Sequence, residues 1–199
     1  MKYVKILGLL AVAASAMMAF AANASATTVT GSGGTKTPTI HAISEESAVA
    51  GTKHVLLHNA IANIQCESTA QGAVEAAGEG GTGLTVKGAI SSLTFSPCTN
   101  SWVVHVDTFG ELEVHGESGN KGTLTSTGTK VTATRFGLQC VYKTNATDIG
   151  TVTGGASFAT LDINATIPVV AAESSFLCTE TPAKWTGAYK TTATLEIDQ

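Results

Sequence analysis

The residue types best suited to chemistry in this chain stand in one stretch, Trp102-Val103-Val104-His105-Val106-Asp107-Thr108-Phe109-Gly110-Glu111-Leu112-Glu113-Val114-His115. Polar and apolar side chains alternate on both sides of Phe109-Gly110, as they do along strands with one buried face. A two-residue loop at Phe109-Gly110 would set Val104 opposite His115 and mix the faces. A three-residue loop, Thr108-Phe109-Gly110 with glycine in the left-handed third position, sets Val106 opposite Leu112 and Val104 opposite Val114. The hairpin predicted in this way puts Trp102, Val104, Val106, Leu112 and Val114 on one face. It gathers His105, Asp107, Glu111, Glu113 and His115 on the other. Two imidazoles and their carboxylate neighbours have the donor chemistry to hold a divalent metal or to titrate near neutral pH, with His105, Asp107, Glu113 and His115 as the candidate patch. Solvated strand faces commonly have the same composition, and that plainer reading is preferred. No metal and no other cofactor is expected.

Other motifs carry less. His54 and His58 have the HxxxH spacing, but no glutamate follows His54, so the zinc-protease reading lacks its general base. Gly31-Ser32-Gly33-Gly34-Thr35-Lys36-Thr37 has the composition of a phosphate loop without its spacing. Ser118, in His115-Gly116-Glu117-Ser118-Gly119, lacks the G-x-S-x-G elbow, and no helix is expected after it. Asp107, Glu111 and Glu113 would serve a glycosidase-like hydrolase, yet spacing along strands does not give the separation of two carboxylates. Asn145 and Asn164 begin N-x-T triplets of the glycosylation type. Among the aromatics, Trp102, Tyr142 and Trp185 are expected in the core, and Phe109, at a hairpin tip, is expected to be exposed. Tyr189 completes the aromatic set open to sugars or partner proteins. No residue is assigned a catalytic role.

The amino terminus bounds the compartment. Met1-Lys2-Tyr3-Val4-Lys5 precedes an apolar run from Ile6 to Ala22 and the small-x-small exit Ala24-Ser25-Ala26. This pattern predicts an export signal over residues 1–26, cut after Ala26, with Ala24 as the alternative. No later run is long and apolar enough to span a membrane, so none is expected after cleavage. Removing Lys2 and Lys5 leaves nine basic side chains against fifteen acidic ones, a formal charge of −6. That sign argues against nucleic acid and anionic lipid as partners.

All four cysteines lie beyond the signal, and an even number behind an export signal reads as two disulfides formed in an oxidising compartment. A zinc site would call for paired C-x-x-C spacing, which is absent. Of the three possible pairings, Cys66–Cys98 and Cys140–Cys178 are favoured because each closes a loop of a few strands. The expected location is secreted or at the cell surface.

Elements that must position these residues follow from the alternation. Residues 27–50 read as a flexible leader and 51–199 as one domain. Strands are predicted over 53–58, 61–67, 72–77, 84–95, 102–108, 112–116, 122–126, 130–136, 138–144, 148–153, 159–167 and 183–197. Alternation is clearest in Thr160–Ile167, where Leu161, Ile163, Ala165 and Ile167 share a face. Short strands at close spacing, rich in Thr and Val, predict an all-β, antiparallel sandwich or barrel, with a β-sandwich of immunoglobulin-like architecture as the favoured form. The immunoglobulin signature itself is missing: Trp102 follows Cys98, and Cys140-Val141-Tyr142 reverses the Tyr-x-Cys order.

The series Phe95-Ser96-Pro97-Cys98, Gly122–Thr132, Cys140-Val141-Tyr142, Asp148–Gly155, Ala165–Pro168, Cys178, Trp185–Tyr189 and Leu195-Glu196-Ile197 is similar to four-cysteine secreted proteins of unknown function that are numerous in actinobacteria. The resemblance covers roughly residues 50–199 and implies an exported β-sandwich, with no site residues to carry over. The function expected is that of an exported, non-enzymatic binding or structural domain at the cell surface, in the matrix or in the medium. Its partners would be protein or polysaccharide. A secreted carboxylate-dependent hydrolase is the alternative.

Overall fold

The computed structural model describes residues 26–36, 38–45, 55–75, 79–82, 85–179 and 182–198. Alternating Thr, Val and Ile between glycine-containing turns produce strands and no α-helix among these residues. The strands are β1 (Ala26–Gly31), β2 (Thr39–Ser44), β3 (Val55–Asn59), β4 (Ala62–Val74), β5 (Glu79–Thr82), β6 (Val86–Cys98), β7 (Val103–Thr108), β8 (Glu111–Glu117), β9 (Lys121–Thr127), β10 (Lys130–Arg135), β11 (Leu138–Lys143), β12 (Thr147–Thr153), β13 (Thr160–Ile167), β14 (Ala183–Thr191) and β15 (Leu195–Asp198).

The all-β class is as expected, but the architecture is a closed barrel and not the predicted sandwich of two open sheets. Eight strands pair in the order β6-β8-β9-β12-β13-β14-β2-β4, and β4 pairs with β6 to shut the ring. The physical reason lies in that seam. β4 and β6 are 13 residues each and stay paired from Cys66↔Cys98 to Val74↔Gly88. Their register shifts between Cys66 and Ser68 and again between Gln71 and Gly72. Such irregularities bend and coil a strand pair, which lets a sheet close on itself. The runs predicted at 61–67 and 72–77 are therefore parts of one long strand.

The same long strands serve a second tier. Beyond Ala89↔Glu111, β6 leaves β8; from Phe95↔Val104 it pairs with β7, which continues to β10 and β11. Outside β11, a Tyr142↔Val169 bridge joins the extension of β13, so this tier closes too through β13, β14, β3 and β4. β2 and β3 lie end to end between β14 and β4: β2 meets Tyr189–Thr191, and β3 meets residues 184–187.

A small sheet, β15-β1-β5, packs against β8 and β9 at the end of the first tier. Val29 of β1 and Ile197 of β15 are both fully buried. The flexible leader expected over 27–50 is thus corrected: β1 belongs to the cap and β2 to the barrel wall. Their alternating Thr and apolar residues bury one face each, and Ala42 joins the core. Residues 1–25, where the export signal was predicted, lie outside the described residues, as does His54.

Both disulfides form in the expected pairing. Cys66–Cys98 joins directly opposed residues at the β4–β6 seam, with Cα atoms 4.1 Å apart. Cys140–Cys178 ties β11 to the segment that runs from Val169 along its outer edge. The Leu138–Tyr142 face points inward, as the pattern of β11 required, with Cys140 and Tyr142 fully buried.

Candidate functional site

The face assignment for 102–115 is correct, but the hairpin is not formed. Val104, Val106, Leu112 and Val114 pack against the core, and Trp102 is buried. Gly110 has φ +69°, in the left-handed third position, and a Cβ there would lie 2.4 Å from the Thr127 carbonyl oxygen. Yet β7 and β8 never pair, because each belongs to a different tier: β7 lies between β6 and β10, and β8 between β6 and β9. The polar patch is split accordingly.

His105 Nε2 stands 4.0 Å from Asp107 Oδ1, and Asp107 Oδ2 accepts from the Thr132 hydroxyl at 2.6 Å. Glu113 and Glu111 are bound instead to Lys87 Nζ, at 3.2 and 3.7 Å. The hydrogen bond that Lys87 donates to Glu113, with the charges of Glu113 and Glu111, raises the pKa of the Lys87 ammonium above its ordinary value. His115 is exposed opposite Thr123. Among the described residues no group of three or more His, Cys, Asp or Glu is placed to hold a metal ion. The candidate ligands His105, Asp107, Glu113 and His115 are therefore not brought together, which corrects the metal-patch reading.

The other motifs find structural places. His58 is exposed and bonded to Asn63, and Ser118 lies in the turn after β8. Trp102, Tyr142, Trp185 and Tyr189 are all buried, leaving Phe109 as the partly exposed member of the expected aromatic set. Phe136 and Phe176, at loop tips not singled out by the sequence, are the most exposed large apolar residues described.

What the fold does build is a lumen. Inside the first tier lies a cavity of about 120 Å³ whose wall is almost entirely apolar. Small residues line it, Ala42 on β2, Ala70 and Gly72 on β4, and Gly88 on β6. Gly72 also permits close approach of the seam strands, since a Cβ there would lie 2.6 Å from the Ala89 carbonyl oxygen. Val74, Val86, Leu124, Ile149 and Val152 supply bulk on the other walls.

Several residues on that inner face, among them Ile40, Ile90, Leu112 and Val114, are only half-buried. The wall has a lapse beside two of them. Between Ala89↔Glu111 and Phe95↔Val104, the outer edge of β6 has parted from β8 and not yet met β7. Ile90 lies in that interval and Leu112 beside it.

A second cavity of about 30 Å³ lies in the other tier, lined by Ile64, Phe95, Tyr142 and Ile167 among others. Trp185, Leu93 and Thr129 line both and form the partition. Beside the partition, hydroxyls are satisfied internally: Ser126 Oγ lies 3.0 Å from Thr129 Oγ1 and 3.1 Å from Thr144 Oγ1. Thr129 donates onward to the Phe109 carbonyl at 2.6 Å. Tyr189 donates to Ser68 at 2.8 Å. Burial pushes the Tyr189 phenol far above its ordinary value, opposed in part by Ser68 and the nearby Trp185 indole.

Sequence reading missed this site. Its only trace is a set of alternate small residues, Ala70-x-Gly72 on β4 and Gly88 on β6. Comparison with family models, curated proteins and solved structures gives no match to this chain.

Proposed function

We propose that the chain is an exported, non-enzymatic binding protein whose barrel lumen takes a small apolar molecule. The observation that carries this reading is the apolar cavity of about 120 Å³ inside a closed eight-strand ring. Small barrels fill their interior with side chains or hold one small ligand. Here Ala42 and Ala70 stand where larger filling side chains would, at a cost in packing that a ligand offsets. The size sets the ligand: an apolar cavity of roughly 150 Å³ is known to accept benzene. This cavity, at about 120 Å³, is somewhat smaller, so its guest is at most one small ring or a short branched chain, and a long lipid is excluded. The lapse in β6 pairing beside Ile90 is the way in. The two disulfides agree with an oxidising compartment.

The carboxylates of a hydrolase, Asp107, Glu111 and Glu113, lie on outer faces in contact with Thr132 and Lys87, outside the lumen. They give the reading of a catalytic cleft no support. The test is thermal unfolding of the oxidised protein with toluene. Toluene is expected to raise the melting temperature in proportion to the logarithm of its concentration, as binding to the folded state alone requires. Ala70→Leu, which fills the cavity, should abolish that increment. No increment in the parent protein at the solubility limit of toluene would overturn the proposal.

A further inference from the structure

The most exposed large apolar side chains described stand on two adjacent loops, where β10 ends and β11 begins. Phe136 is 86% exposed, Phe176 82% and Leu177 51%. Phe136 and Gly137 make the two-residue turn between these strands, closed by the Arg135↔Leu138 pair. Phe176 and Leu177 follow Ser175, whose N–H donates to the Gln139 carbonyl at 2.8 Å. Ser175 Oγ in turn accepts the Gln139 N–H at 3.0 Å, and the Cys140–Cys178 disulfide closes the far side of the same loop. Both tips are thus pinned by the fold with their apolar side chains in solvent. Val103, opposite Thr134 and itself exposed, continues this surface onto β7.

Phe136 is also an unusual choice for its own backbone. Its φ is +49° and that of Gly137 is +82°, positive at both positions as a type I′ turn requires. Asn, Asp and Gly take such a position readily, whereas a bulky aromatic takes it rarely and at a cost. Strain held at one fully presented residue points to use of that residue. The Arg135 guanidinium lies over the ring, with Cζ 4.8 Å from its centroid. Arg135 is the one arginine of the chain. It is also the single charge in the segments that meet here, 101–103, 134–139 and 174–179, in a chain with an excess of acidic residues. Glu173, just before the last of these segments, is bound to Lys130.

We propose that this end of the protein docks on a lipid bilayer, with Phe136, Phe176 and Leu177 entering the headgroup boundary and Arg135 meeting a lipid phosphate. Removal of apolar area from water drives such docking, and a bilayer demands no matching shape. A guanidinium suits phosphate oxygens, which it binds in pairs. Three side chains on two loop tips are a small part of the roughly 20–30 residues a side that a stable protein interface uses. A second copy apposed through the tips would set Arg135 against Arg135. The formal charge of −6 opposes anionic lipid, so the bilayer is a zwitterionic one.

Sedimentation with vesicles of phosphatidylcholine, alone and mixed with phosphatidylglycerol, tests this on the oxidised mature chain. Residues 1–26 are left out because the apolar run Ile6–Ala22 would itself partition into lipid. The bound fraction should rise with phosphatidylcholine, and phosphatidylglycerol should not increase it. Phe136→Asn should weaken partitioning by roughly tenfold, as loss of part of one aromatic side chain's burial requires. Asn suits a positive φ, so this variant should melt no lower than the parent. Phe109→Ser, beyond the opposite end of β7, should leave partitioning unchanged. Emission from Phe136→Trp should move to the blue with lipid. A parent that does not sediment with phosphatidylcholine, or that partitions no better than Phe136→Asn, overturns the proposal. So does binding that needs phosphatidylglycerol, or a dimer that Phe136→Asn disperses and that binds no vesicle.

Discussion

Asn59 and Tyr142, 83 residues apart, are joined in the core by a hydrogen bond of 2.6 Å, with the Asn59 amide donating to the phenol oxygen. The same Asn59 accepts, through Oδ1, the backbone N–H groups of Ile61 at 3.0 Å and Ala62 at 2.8 Å. One side chain thus shapes the β3–β4 turn and fastens it to β11 across the second tier. Tyr142→Phe should cost about 1–3 kcal/mol, the penalty of leaving a buried amide hydrogen unpaired. Asn59→Ala should cost more, since the turn is lost as well. Urea unfolding of the two variants checks the order.

Replacing Cys140 and Cys178 together by alanine should lower stability by about 3–4 kcal/mol, by the loop-closure estimate. The damage should be local in the folded state. Ser175 bonds to the Gln139 carbonyl at 2.8 Å, and Val170 to Val141 at 2.8 Å, along the edge that this disulfide secures. Amide exchange should quicken in Leu138–Lys143 and around Ser175, while the toluene increment persists because neither cysteine lines the larger cavity.

Gly72→Ala should destabilise by about 1–3 kcal/mol, because the new methyl group meets the Ala89 backbone at the barrel seam and overpacking forces strands apart. Denaturant midpoints of Gly72→Ala and Ala70→Leu should move in different senses. The first strains a strand contact; the second occupies space that is already there.

Alkaline pH should weaken the fold. Burial raises the Tyr189 and Tyr142 phenols above the ordinary value of 10.0, so the folded state holds these protons more tightly than the unfolded chain. That contribution is fully present below pH 10 and is lost as pH rises beyond it. Tyr189→Phe should flatten the decline above pH 10 while lowering stability at neutral pH through the lost bond to Ser68. Unfolding free energies at pH 8 and pH 11 would show it.

Zinc should not draw His105 and His115 together, since their strands belong to different tiers and do not pair. A titration followed by the two ring signals is expected to leave both unmoved at stoichiometric metal. A joint shift would show that the two strands can approach.

Most strands were legible in the alternation, from the Thr160–Ile167 ladder to the inward Leu138, Cys140 and Tyr142. Gly110 has the left-handed φ expected of it, although the hairpin from which that was argued does not form. What alternation cannot supply is the partner of each strand. Val104 and Val114 have the right faces for a hairpin, and only the length of β6, which offers one half to β7 and the other to β8, keeps them apart. The lumen was hidden for a related reason. Glycine at positions 72 and 88 reads locally as punctuation, and becomes the wall of a cavity only when β4 and β6 are known to face inward together. The strands at Ala26–Gly31 and Thr39–Ser44 were passed over because their Gly-Ser-Thr setting resembles a linker, and each has one of its two partners far along the chain, β14 for β2 and β15 for β1.

That last pairing has a consequence for order of assembly. β1 pairs with β15 through Thr28↔Asp198 and Val29↔Ile197, so one strand of the cap waits for a partner made far later in the chain. Contacts of such long sequence separation form slowly, because the closure entropy comes before any gain. The barrel wall can assemble while its lid stays open. A chain built this way remains loose at one end until the last strand of the cap is in place.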